Sequence, residues 1–125
     1  MFKYTSTDKA PAAIGPYSQA ICANGMLFAS GQVPIDPATG NIEAKTIAEQ
    51  TEQACKNVGE ILKASGLGFE DVVKTTCFLA DIKDFAEFNA VYAKYFTSRP
   101  ARSCVAVKDI PKGALCEIEI TAIAK

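Results

Sequence analysis

The chain has 125 residues, 49% of them hydrophobic and 22% charged, which is enough apolar material for one domain's core and too much for a disordered chain. Thirteen Lys and Arg against fourteen Asp and Glu leave a net charge of −1, without the basic excess of a nucleic-acid binder. Histidine is absent, which excludes Ser–His–Asp and Cys–His nucleophiles, histidine-containing zinc sites and the usual ribonuclease acid–base pair.

Residues 1–15 hold no apolar run long enough for a signal peptide, and no later stretch approaches a membrane span. The five cysteines, Cys22, Cys55, Cys77, Cys104 and Cys116, lack the paired spacings of a disulfide framework or a thiolate metal site and sit among apolar neighbours. A reduced, soluble, cytoplasmic protein with a single domain over residues 1–125 and no metal is expected.

Segments 18–23 and 26–30 read as strands flanking Asn24-Gly25, a dipeptide that tolerates the positive φ of a tight hairpin. Pro34, Asp36-Pro37 and Thr39-Gly40 then punctuate a loop. Thr46-x-x-Glu49 is a capping box, opening a helix with Ile47, Thr51, Ala54, Val58, Ile61 and Leu62 on one face and Gly66 at its end. Residues 72–80 predict a strand apolar on both faces. Asp84-x-x-Glu87 predicts a second capping box and a helix carrying Phe85, Phe88, Val91, Tyr92, Tyr95 and Phe96, which Pro100 prevents from continuing. Strands over 101–107 and 115–124 finish the chain, joined by a segment with Pro111 and Gly113. The plan is α+β, with two helices packed on one face of a mixed sheet.

The last two strands are expected to form a hairpin. Burying Val105 and Val107 together with Ile118 and Ile120 then puts Arg102 and Cys104 on one face with Glu117 and Glu119, because residues opposite each other in a ladder share a face. That face is either an exposed ion pair or an anion site lined by Arg102 with a carboxylate nearby.

Five stretches, in order, resemble the Rid (YjgF) family, and its reactive intermediate deaminase A branch in particular. They are Ala10-Pro-Ala-Ala-Ile-Gly-Pro-Tyr17-Ser-Gln, Ser30-Gly31-Gln32-Val-Pro, Asp84-Phe-Ala-Glu-Phe-Asn89-x-x-Tyr92, Pro100-Ala-Arg102-Ser-Cys104-Val, and Ile110-Pro-Lys-Gly-Ala-Leu-Cys-Glu117-Ile-Glu119. The resemblance implies a chorismate-mutase-like fold, a homotrimer with clefts between subunits, and no cofactor. It also implies hydrolysis of reactive enamine and imine acids, such as 2-aminoacrylate and 2-iminobutyrate, to 2-keto acids and ammonia.

Position by position, Arg102 matches the family's substrate-binding arginine and Glu117 the carboxylate that positions or activates water. Cys104 matches a backbone contact to the imine end; Tyr17, Ser30 and Gly31 match groups lining the cleft, and Asn89 a position near it. Two other classes are implied by parts of the family: an endoribonuclease or translation inhibitor, and a non-catalytic regulatory trimer. Two features depart from the family's pattern at the cleft mouth: the segment Phe96-Thr-Ser-Arg-Pro100 is short, and Arg99 adds a second cation.

Overall fold

The computed structural model describes residues 2–124. Asn24 and Gly25 take φ of 52° and 74°, the consecutive positive values of a tight hairpin turn. This turn folds β2 (Ala20–Ala23) onto β3 (Met26–Ala29), and β1 (Lys3–Thr5) adds to the outer edge of β2. β1 was not expected: three residues are too few to show alternation. On the other side of β3 lies β6 (Cys116–Ile123), then β4 (Val72–Leu79), then β5 (Ala101–Ala106), giving the order β1-β2-β3-β6-β4-β5. All pairings are antiparallel except β4 with β5.

Both helices cover the same face. In α1 (Ile47–Ala64) the expected capping box is formed: Thr46 Oγ1 accepts from the Glu49 N–H at 3.2 Å, and Glu49 Oε1 accepts from the Thr46 N–H at 3.3 Å. Its buried Ile47, Ala54, Val58, Ile61 and Leu62 meet Leu27, Leu79, Ile118 and Ile120 of the sheet in one core. α2 (Phe85–Tyr95) buries Phe88, Val91 and Tyr92. The second capping box does not form. Asp84 closes a 3₁₀ turn over Ile82–Asp84, so its backbone (φ −83°, ψ 1°) is not the extended one a capping side chain needs, and Asp81 caps instead by accepting from the Lys83 N–H.

The expected final hairpin is also corrected: β4 lies between β5 and β6. Thr75 stands opposite both Arg102 and Ile120, and Cys77 opposite both Cys104 and Ile118. Phe78 stands opposite Val105 and Glu117, and Thr76 opposite Ser103 and Glu119. Arg102 and Cys104 therefore share the helix-covered face with the isoleucines, while Glu117 and Glu119 lie on the opposite face. The expectation failed because β5 is the edge strand of a parallel β4–α2–β5 crossover, and Val105, 45% exposed, was never in the core. Nor is β4 apolar on both faces: Val72, Thr75, Cys77 and Leu79 are buried, whereas Val73 and Lys74 at a bulge are exposed. The face without helices leaves Tyr4, Phe28, Val105 and Ile123 each at least 45% exposed.

Candidate active site

Arg102 projects from β5 against α2. Its Nη1 donates to Asn89 Oδ1 at 2.7 Å, and its guanidinium carbon lies 4.8 Å from the centre of the Tyr92 ring and 5.5 Å from that of Phe85. Asn89 and Tyr92 are three residues apart and so share one face of the helix. Tyr92 is fixed in turn by a 2.7 Å hydrogen bond between its hydroxyl and Thr75 Oγ1, and burial pushes its pKa up to about 12, so it stays neutral beneath the guanidinium. No carboxylate pairs with Arg102: among the described residues the one ion pair is Lys83 with Asp81. One of its five N–H donors is used by Asn89, leaving others available to a bidentate anion. Asn89, Tyr92 and Arg102 line a cavity of about 630 Å³.

Cys104, two residues along the same face, is half-buried against the core. Burial raises its pKa, against a smaller opposing pull from Arg102. The thiol is thus protonated and is not an activated nucleophile. Cys77 and Cys116, fully buried, are pushed up to about 12, and Cys55 is raised further.

A second cavity, of about 460 Å³, collects Tyr17, Ser30, Gly31 and Glu117. The segment after β3 is sewn to β6 by a bridge in which the Gln32 N–H donates to Ile118 O at 2.8 Å and the Ile118 N–H to Gln32 O at 3.0 Å. That bridge sets Gly31 directly beside Glu117, where a Cβ would collide with the carboxylate, so any larger residue forces the Glu117 side chain to move. Ser30 Oγ donates to Ser18 O at 2.6 Å. Buried Gln19 holds the loop before Tyr17, donating to Thr7 O and Pro11 O and accepting from the Thr7 N–H. Glu117 is half-buried; desolvation raises its pKa above the ordinary carboxylate range, and the neighbouring Glu119 raises it further.

The structure therefore brings Tyr17, Ser30, Gly31 and Glu117 together in one cavity and Arg102 with Asn89 in another, on opposite faces of the sheet. Sequence reasoning took Tyr92 only as core and missed Gln19 and Gln32. The Asn89/Tyr92 spacing was the available signal for the first, whereas nothing local distinguishes the two glutamines from surface ones. No cluster of three potential metal ligands occurs among the described residues, and none of their helices is long and apolar enough to cross a membrane.

A six-stranded mixed sheet with two helices on one face, an arginine held on an aromatic ring and a half-buried glutamate beside a glycine define a small α+β protein with two candidate polar sites. The sequence profile of the family described as Endoribonuclease L-PSP matches residues 7–124, and the chain belongs to that family, also called YjgF/Rid. It is 51% identical over 119 residues to the human 2-iminobutanoate/2-iminopropanoate deaminase, covering 94% of this chain and 87% of that protein. The crystal structure of the Rid-family protein YyfA from Yersinia pestis superposes with a TM-score of 0.96 at 47% identity, covering 99% of this chain and 100% of that one. E. coli TdcF with bound serine superposes with a TM-score of 0.93 at 41% identity, over 98% of this chain and 99% of that one.

Proposed function

We propose that the protein is a deaminase of 2-imino acids, hydrolysing R–C(=NH)–COO⁻ with one water to R–C(=O)–COO⁻ and ammonia. The observation that carries this reading is the Arg102 guanidinium, fixed by Asn89 and Tyr92 yet, among the described residues, without a carboxylate partner. It is a preorganised receptor for a substrate carboxylate, and its planar fork suits two parallel hydrogen bonds. An iminium carbon is already electrophilic, so catalysis reduces to holding the substrate and delivering water. Glu117 delivers the water. Its raised pKa makes it a stronger base than an exposed glutamate, able to take the proton of the attacking water. That proton then leaves with the departing ammonia.

Because Arg102 and Glu117 lie on opposite faces, the site is completed between copies of the chain: Arg102, Asn89 and Cys104 from one, and Tyr17, Ser30, Gly31 and Glu117 from its neighbour. The uncovered apolar sheet face supports such an assembly, and a homotrimer is the state proposed. Relatives named as imine deaminases support the reaction class. The family's endoribonuclease description is disfavoured by the absence of histidine and the net charge of −1. The test is to generate 2-iminobutanoate in situ with an amino-acid oxidase, trap surviving imine with semicarbazide, and ask whether the protein diverts it to keto acid. Undiminished trapping at micromolar protein would sink the proposal.

A further inference from the structure

The Arg102 cavity carries more positive charge than one carboxylate needs. Arg99 lines it together with Arg102, and no Asp or Glu does. Arg99 sits at φ 53°, in the left-handed region that glycine or asparagine occupies with less strain. The turn that carries it is tied down on several sides. The Phe96 N–H donates to Tyr92 O at 3.1 Å, the Arg99 N–H to Phe96 O at 3.1 Å, and Ser98 Oγ to Val72 O at 2.8 Å. Pro100 follows immediately and fixes the chain leading into β5. Among the described residues Arg99 has no ion-pair partner. Three residues of chain span at most about 10 Å, so two arginine side chains rooted at positions 99 and 102 can converge on one short diacid.

From these features, and resting on the deaminase reading, we infer that Arg99 is a specificity-determining residue that takes a second carboxylate. The preferred substrates are then dicarboxylic 2-imino acids of the aspartate or glutamate type, with Arg102 holding the carboxylate beside the imine and Arg99 the distal one. The second cation acts both by charge-assisted hydrogen bonding and by drawing dianions into the cavity, an attraction that salt weakens.

The experiment compares kcat/KM for the imines formed in situ from aspartate and from 2-aminobutanoate, in wild type, Arg99→Ala and Arg99→Lys, at low and high ionic strength. In parallel, calorimetric titrations compare oxaloacetate with 2-oxobutanoate as ligands. The ratio of dicarboxylate to monocarboxylate kcat/KM is expected to fall about tenfold or more in Arg99→Ala, with partial retention in Arg99→Lys. High salt erodes the dicarboxylate preference of the wild type, and oxaloacetate binds more tightly than 2-oxobutanoate only while Arg99 is present. Hydrolysis of the monocarboxylate imine with a substrate ratio unmoved by Arg99→Ala overturns this inference and leaves the deaminase reading intact. Failure to hydrolyse either imine overturns both.

Discussion

In the proposed reaction Arg102 and Glu117 divide the chemistry between them, and their surroundings explain how each is tuned. Arg102 is oriented by a neutral amide and an aromatic ring, partners that fix the guanidinium without consuming its charge. Replacing Arg102 by Ala is expected to lower kcat/KM by about 2–5 kcal/mol, roughly thirty- to several-thousand-fold, with Lys nearly as damaging because a point charge cannot reproduce the fork. Steady-state imine hydrolysis checks this, and near-normal turnover by the Lys variant would show that bidentate geometry is not needed. Glu117 has its pKa raised by burial and by Glu119, which fixes the sign of two pH effects. Hydrolysis is expected to rise with pH as this carboxyl loses its proton, with a midpoint above the ordinary glutamate value of about 4.3. Folding stability moves the other way. The folded state binds the proton more tightly than the unfolded one, so Glu117 lowers stability as pH rises from the unfolded value through the raised folded one. Glu117→Gln should abolish the acid limb of the rate profile, slow hydrolysis about 10²–10⁴-fold, and flatten the decline of urea stability across the same window. A retained acid limb in Glu117→Gln would assign it to another group.

Elements whose signals are local were legible in the sequence: the Asn24-Gly25 hairpin and α1 with its Thr46/Glu49 box both form as read. What the sequence did not show was which strands are neighbours. Residues 101–124 read alone look like a hairpin because consecutive strands usually pair; the insertion of β4 between them depends on α2 carrying the chain back parallel. The candidate residues were recognisable by motif, yet their division between two faces depended on that non-local pairing, and strand parity inverted it. The same dependence appears in the loop after β3, where a residue of α1 provides the anchor. Asn57, fully buried, donates from Nδ2 to Val33 O at 3.0 Å and Ile35 O at 2.9 Å, and its Oδ1 accepts from Gln53 Nε2 at 2.9 Å. Asn57→Ala strands two carbonyls of the segment that lines the Glu117 cavity, and should cost about 1–3 kcal/mol. Urea denaturation checks the figure, and an unchanged midpoint would mean that water replaces the amide.

At the scale of the whole molecule, the sheet is covered on one face only, and the uncovered face carries Glu117 amid exposed Phe28, Val105 and Ile123. A monomer with this surface would hold half a site on each side of the sheet. A closed ring of three copies, each offering its Arg102 side to the Glu117 side of the next, would use a head-to-tail interface and build three composite sites. This geometry makes a prediction that no single-subunit site shares. Arg102→Ala and Glu117→Gln, each nearly inactive alone, are unfolded together at equal amounts and refolded. In any mixed trimer, one junction joins an intact Arg102 to an intact Glu117 from the adjacent subunit. About three quarters of randomly assembled trimers are mixed, and each regains one site of three, so about a quarter of wild-type activity should return. Refolding the variants separately and mixing them cold supplies the control, since subunits that do not exchange cannot complement. Sedimentation velocity on the same samples reports whether trimers formed. Trimers without recovered activity would place Arg102 and Glu117 in separate sites, and a stable monomer at micromolar concentration would remove the shared cleft altogether.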